Sequence, residues 1–304
     1  MKIRRSILSV PGHITKMHVK ALNSSADSLI LDLEDSVPLN DKELARKTVI
    51  ETLSTNDFGN KYIHVRVNSV ENPLSYKDIV EVISKVGNKI DSLLLPKVDT
   101  PQDIYFVDRL LDLIKDEYKI DKNIGISVSI ESAIGLENIS TIVKSSNKID
   151  SIHFGIADYS SSIGAKIISI SGHGENEQDI YPGHRWAYVH SKIVNTAKAY
   201  NLQAFDAPYG NFKDTDGLAK ASQIALALGF DGKWAIHPEQ IDTINKVFSP
   251  QDEEIKRAKM VIDALNQAKL EGKGAVSIDG RMIDHATIRL ANVTLEKAKA
   301  LNLI

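Results

Sequence analysis

The sequence predicts a (β/α)8 TIM barrel followed by a small C-terminal module, and three observations carry the barrel. Short β-branched runs alternate with longer segments of helical period, which is the pattern of βαβ units around a parallel sheet. Eight such runs fall within about 245 residues, the size of this barrel. Each is followed at once by polar or Gly/Pro residues, and such residues converge on one face only if the sheet closes.

The elements follow in order. A first strand over Ser6–Val10 ends at Pro11-Gly12. The second, Ser28–Leu33, runs into Asp32-Leu33-Glu34-Asp35 and a helix over Lys42–Leu53. The third, Tyr62–Val67, carries Arg66-Val67-Asn68 at its end and precedes a helix over Tyr76–Val86. After the fourth, Ser92–Leu95, come Pro96-Lys97 and a helix that Pro101 opens and Tyr118 closes. The fifth, Gly125–Ile130, meets Glu131-Ser132 before a helix over Leu136–Ser146. The sixth, Ser151–Phe154, ends in Gly155 to Asp158. A long polar connection, Lys166 to Arg185, then lies on the side where lids and binding loops sit, ahead of a helix over His184–Tyr200. The seventh, Gln203–Phe205, precedes Asp206-Ala207-Pro208 and a helix over Thr215–Leu228. The eighth, Gly232–Ile236, stops at His237-Pro238, with a helix over Pro238–Val247. Beyond it, Pro250 to Leu270 reads as a charged helix, Glu271-Gly272-Lys273-Gly274 as a hinge and 275–304 as a terminal module. The expected division is a barrel, 1–249, and a helix with a terminal module, 250–304.

Composition narrows the function. Lys and Arg number 37 against 40 Asp and Glu, a net charge of -3, so no one-signed field draws the chain to nucleic acid or an anionic membrane. Small molecules are the expected partners. The absence of cysteine excludes disulfides, thiolate metal sites and a Cys nucleophile. The apolar run Ile7–Val10 is too short for a signal peptide and no stretch approaches a membrane span, so the sequence reads as cytoplasmic. No GxSxG, Walker A, GxGxxG or HExxH string is present, which leaves the chemistry to dispersed strand-end groups.

Glu131 and Asp158 end neighbouring strands, where two hard oxygen donors with room for water suit Mg2+. Alternatively each caps the helix after it or pairs with a cation. Arg66 points a planar fork at the same mouth, fitted to a substrate carboxylate or to an internal ion pair with Glu34 or Asp35. Both can hold at once. The acids Asp32, Glu34 and Asp35 read as a scaffold for neighbouring cations such as Arg46. His153 and Trp234 lie within strands and read as core, unless Trp234 lies near the rim. His237 is either a substrate contact or a structural turn residue, and His13, His173 and His184 lie on loops without a spacing pattern.

At these residues the sequence resembles the malyl-CoA lyase and citrate lyase β-subunit family of HpcH/HpaI-type lyases. The matching strings are Arg5-Ser6 with Val10-Pro11-Gly12, DLEDSV (32–37), RVN (66–68), LLPKV (94–98), IESAIG (130–135), HFGIADYSSSIG (153–164), DAPYGNFKDTDG (206–217), GKWAIHPEQI (232–241) and DGRMID (279–284). The resemblance implies an Mg2+-dependent (or Mn2+-dependent) lyase of L-malyl-CoA or β-methylmalyl-CoA, with citramalyl-CoA or citryl-thioester cleavage and malyl-CoA hydrolysis as alternatives. It implies Glu131 and Asp158 as metal ligands, and Arg66 with Gly155, Ile156, Ala157 and Asp158 around the substrate. Coenzyme A is expected across the Pro11-Gly12 turn with Lys20, Pro96 and Trp234-Ala235-Ile236. His13 to Lys16 replace the Arg that relatives often carry after that turn, which rearranges the expected phosphate contacts. The resemblance further implies a homotrimer or homohexamer in which Asp284, on the lid, serves a neighbouring subunit as acid/base. Read from residues alone, Asp284 caps the helix that begins near Ala286.

Overall fold

The computed structural model describes residues 2–166, 185–270, 276–278 and 281–304. Its eight parallel strands are β1 (Ser6–Pro11), β2 (Ser28–Asp32), β3 (Tyr62–Arg66), β4 (Ser92–Leu95), β5 (Gly125–Ile130), β6 (Ile149–Phe154), β7 (Gln203–Asp206) and β8 (Gly232–Ala235). They pair in sequence order, and β8 returns to β1 with Ser6 opposite Lys233, Ile7 opposite Trp234 and Leu8 opposite Ala235. The sheet is therefore a closed barrel. Gly232 makes that seam tight, because a Cβ there would sit 2.2 Å from the carbonyl oxygen of Arg4.

Strands covered on both faces read as continuous apolar runs. Ser-Leu-Ile-Leu-Asp in β2 and Ser-Leu-Leu-Leu in β4 accordingly bury every residue. Around them lie α1 (Thr15–Leu22), α2 (Lys42–Thr55), α3 (Leu74–Val86), α4 (Pro101–Tyr118), α5 (Ala133–Ile142), α6 (Ile156–Ser162), α7 (Ala187–Ala199), α8 (Thr215–Leu228) and α9 (Ile241–Phe248). The helix α4 shows how the local sequence sets an element. Thr100 and Asp103 form a reciprocal cap, Pro101 opens the first turn, and Ile104, Val107, Leu111 and Ile114 make one buried stripe.

Inside the barrel, Ile7, Ile30, Leu94, Phe205 and Trp234 meet from strands that are not all neighbours. Toward the strand N-termini this apolar layer gives way to a polar one. There the buried Arg4 guanidinium stacks over Tyr62 and Phe205, 4.3 and 4.7 Å from the ring centroids, and bonds Gln203. Asp150 accepts hydrogen bonds from Tyr62 and Ser127.

Two helices were not anticipated. In α1 only His18 and Ala21 are buried, and His18 joins Thr52 and the Pro11 carbonyl at 2.8 and 3.0 Å. A buried face of one histidine and one alanine leaves no apolar period to read. The other, α6, has 7 residues, fewer than two turns. Elsewhere α5 starts at Ala133 rather than Leu136, and the expected helix from Pro238 splits into a 3-10 turn, Pro238–Gln240, and α9.

The chain forms two compact units, Arg4–Asn245 and a second that contains Lys246–Ile304. The second holds α10 (Asp252–Leu270), the antiparallel pair β9 (Val276–Ile278) and β10 (Arg281–Ile283), and α11 (His285–Ala300). Ala258 and Val261 of α10 pack against Ala291 of α11. The expected hinge 271–274, His173, His184 and most of the connection 166–185 lie outside the described residues. No described helix is long and apolar enough to cross a membrane.

Candidate active site

A cavity of about 380 Å3 opens at the C-terminal ends of the barrel strands, lined by Ser9 and Pro11 from β1, Arg66, Ser129 and Glu131, Phe154 to Asp158, Pro208, Trp234 and Ile236. This is the face that the dispersed polar residues of the sequence pointed to.

Arg66, the last residue of β3, donates from Nε and Nη2 to the two oxygens of Asp32, each at 2.7 Å. Its Nη1 stands 3.0 Å from Glu34 Oε2 without the direction of a hydrogen bond. Asp32 takes two of the five guanidinium N–H donors, so others remain beside the Glu34 ion pair for an anion. Asp32 is itself clamped by Ser36 and by the backbone N–H of Glu34 at 2.9 Å. Burial alone would raise the pKa of Asp32, yet the Arg66 charge and hydrogen bonds pull it down to about 2. Burial weakens Arg66 as a cation, and Asp32 more than restores it.

The partner of the acidic loop is not Arg46. That residue bonds Asp78 and Glu81 at 3.1 and 3.0 Å, between α2 and α3. The cations that hold the loop are Arg66, Lys42 and Lys97. Lys42 ties the carbonyls of Leu33 and Glu34 to Asn68, and Lys97 donates to Glu34 Oε1 at 2.6 Å and reaches Asp35 at 3.4 Å. Asp35 thus pairs with Lys97 rather than Arg66. Lys97 was not singled out from the sequence, although a cation directly after a strand end, in Pro96-Lys97, was the available signal. It adopts a left-handed φ of 52° and its ammonium lies 3.9 Å from Asp158.

Glu131 follows β5 directly, is 5% exposed, and does not cap α5, because Ser132 does so by accepting from the Gly135 N–H at 2.9 Å. Burial and the neighbouring Glu34 push its carboxyl up to about 7, against the pull of Arg66 and of a hydrogen bond from Ser129. Space for it comes from Gly155: a Cβ there would lie 2.5 Å from Glu131 Cγ. Asp158 does not end β6 as expected but sits in the first turn of α6, with its side chain half exposed toward the same cavity. Glu131 and Asp158 could hold a metal together as two hard donors, and no group of three or more potential ligands occurs among the described residues.

Trp234 lies at the cavity floor, with its ring centroid 5.6 Å from the Arg66 guanidinium carbon. Of the other residues expected around coenzyme A, Ile236 lines the cavity, Ala235 is fully buried in β8, Pro96 is buried, and Lys20 is exposed on α1. His237 caps the 3-10 turn through Nδ1 and stacks on Phe212 with centroids 4.5 Å apart. His153 is a bonded core residue. In the second unit, Asp284 caps α11, its Oδ1 accepting from the Thr287 N–H and hydroxyl at 2.7 and 2.8 Å. Those two donors hold its carboxyl below the ordinary range.

The sequence profile of the HpcH/HpaI aldolase/citrate lyase family matches residues 5–238. A protein of Rhodobacter capsulatus named L-malyl-CoA/beta-methylmalyl-CoA lyase is 35% identical over 303 residues, covering 98% of this chain and 95% of its own. The malyl-CoA/beta-methylmalyl-CoA/citramalyl-CoA lyase of Chloroflexus aurantiacus is 34% identical, covering 95% of this chain and 86% of its own. Among solved structures, CitE from Mycobacterium tuberculosis in complex with magnesium, acetoacetate and coenzyme A shares the fold. It superposes with a TM-score of 0.77 at 24% identity, covering 98% of each chain. The chain belongs to the HpcH/HpaI aldolase/citrate lyase family.

Proposed function

We propose that this chain is an Mg2+-dependent carbon–carbon lyase that cleaves L-malyl-CoA or β-methylmalyl-CoA to glyoxylate and acetyl-CoA or propionyl-CoA, and that it also runs in reverse. The observation that carries this reading is the meeting of Glu131, Asp158 and Arg66 in one cavity at the strand ends. The family and the names of the relatives support the reaction class.

Glu131 and Asp158 would hold the ion, leaving positions for water and substrate oxygens, as Mg2+ and Mn2+ prefer. The fit is supported by the surroundings: a buried carboxyl beside a second carboxyl is relieved by a divalent cation, and Gly155 keeps room around it. Bound there, the ion supplies Lewis acidity toward the hydroxyl oxygen that becomes the aldehyde carbonyl. Arg66 takes the substrate carboxylate through its remaining donors while Asp32 keeps it aimed and charged. Gly155, Ile156, Ala157 and Asp158 flank the substrate.

In cleavage the hydroxyl proton leaves to solvent and the oxygen's electron pair forms the aldehyde C=O, while the bond between the hydroxyl-bearing carbon and the carbon next to the thioester breaks and its electron pair passes into the thioester enolate. Asp284 protonates that carbon, and in the condensation direction it removes the proton. We assign it to a neighbouring subunit's site in a homotrimer or homohexamer. Desolvation on lid closure would strengthen a carboxylate that its cap otherwise weakens as a base. Coenzyme A would lie across Pro11-Gly12, Lys20, Pro96 and Trp234-Ala235-Ile236. Citramalyl-CoA is a second substrate to test, since the Chloroflexus relative carries it in its name.

A panel of malyl-, β-methylmalyl-, citramalyl- and citryl-thioesters with Mg2+, scored by product mass, tests the reading. Glyoxylate with acetyl-CoA or propionyl-CoA is expected. Malate with free thiol would replace the lyase by a thioesterase.

A further inference from the structure

Beneath the cavity floor, Trp234 donates its indole N–H to Nδ1 of His153 at 2.7 Å. An imidazole that accepts at Nδ1 carries its hydrogen on Nε2, and there Ser151 Oγ lies 3.1 Å away. Ser151 continues to Ser127 at 2.8 Å and Asp150 at 2.5 Å, and Asp150 faces Arg4 at 3.7 Å. His153 is fully buried, so its ring has no alternative partner in water. Burial, with His64 and Arg4 nearby, also keeps it uncharged and therefore able to accept. An indole has a single donor, so the position of its acceptor fixes how the ring lies. That ring faces Arg66 from within the cavity.

We propose that His153 is a positioning residue: by accepting the Trp234 N–H it sets the aromatic face beneath the Arg66 guanidinium, and through it the grip on a short 2-oxo acid. This deepens the reading of Arg66 given above and rests on it.

Three variants separate positioning from mere core filling. His153→Asn keeps an acceptor near the Nδ1 position, His153→Gln moves the amide toward Nε2, and His153→Leu removes it. The full chain labelled with 5-fluorotryptophan gives two 19F resonances, from Trp186 and Trp234, assigned with Trp186→Phe. Without substrate, Gln and Leu should shift the Trp234 resonance while Asn holds it near its native position. In the condensation assay, Gln and Leu should raise KM for glyoxylate about tenfold, the scale of a desolvated cation–π contact, with KM for acetyl-CoA unchanged. Asn should restore most of the native value. If the Leu variant does not fold, the Gln and Asn pair still decides, since a mere packing defect would not raise KM for glyoxylate while leaving KM for acetyl-CoA unchanged.

An unmoved Trp234 resonance in His153→Gln, or a native glyoxylate KM beside a moved one, would overturn the proposal and leave the orientation of Arg66 to Asp32 and Glu34. An unchanged glyoxylate KM in Arg66→Lys would instead overturn the reading of the site, and the kinetic half of the proposal with it.

Discussion

Arg66 is held on one edge by both oxygens of Asp32, and this doubled contact defines what a lysine could not do there. Arg66→Lys is expected to lose about 1.5–3 kcal/mol of transition-state stabilisation, roughly ten- to a hundred-fold in kcat/KM. Steady-state kinetics with glyoxylate measure it. The same pair makes stability depend on pH. Asp32 has its carboxyl lowered from 3.8 to about 2 in the folded protein, so its contribution is complete above about pH 4 and is lost as pH falls toward 2. The shift corresponds to about 2 kcal/mol. Urea midpoints measured from pH 5 down to pH 2.5 should therefore fall more steeply for the native chain than for Asp32→Asn, and parallel slopes would refute the linkage. That Arg66, Glu131 and Asp158 lie at one cavity could be read from the sequence because Arg66 ends a strand and the two acids come within four residues of a strand end. Lys97 was missed and the Arg46 pairing misjudged because an ion pair depends on which helix faces which loop, and linear spacing does not contain that.

At the scale of elements, the junction of β5 with β6 and α6 is where packing and chemistry meet. Gly155 has an ordinary φ of -102°, so what it provides is space rather than backbone freedom. Gly155→Ala should press on Glu131 and lower Mg2+ affinity at least about tenfold, a loss of ~1.4 kcal/mol that calorimetric titration with the metal alone would detect. Native affinity would mean that Glu131 yields without consequence. The sequence placed all eight strands within a few residues, since the alternation of apolar runs with helical period is a repeated signal. It missed α1, whose buried face is one histidine and one alanine, and α6, which is too short for a period. The second omission moved Asp158 from a strand end to a helix turn. The polar interior was not anticipated, because the linear order of Tyr62, His64, Ser127, Asp150 and Ser151 does not show that the closed barrel gathers them around one another.

At the scale of the whole molecule, the proposed lid exchange predicts complementation. Asp284→Asn should abolish proton exchange at the acyl-CoA α-carbon yet retain Mg2+ binding, and Glu131→Ala should be inactive for want of a metal site. Mixed under subunit exchange, the two should recover part of the activity, because some sites then combine an intact barrel with an intact lid. Hetero-oligomers without recovered turnover would confine Asp284 to its own barrel or to its role as a cap.

The seam between β1 and β8 sets the order in which the molecule is completed. Ser6 and Lys233 are partners in the sheet but lie at opposite ends of the barrel sequence. A ribosome therefore exposes the outer edge of β1, with Ile7 and Leu8, for nearly the whole time of translation before its partner strand emerges. Until Gly232 lets the two backbones close, the nascent chain presents an open, apolar sheet edge of the kind that chaperones bind and other nascent chains can zip onto.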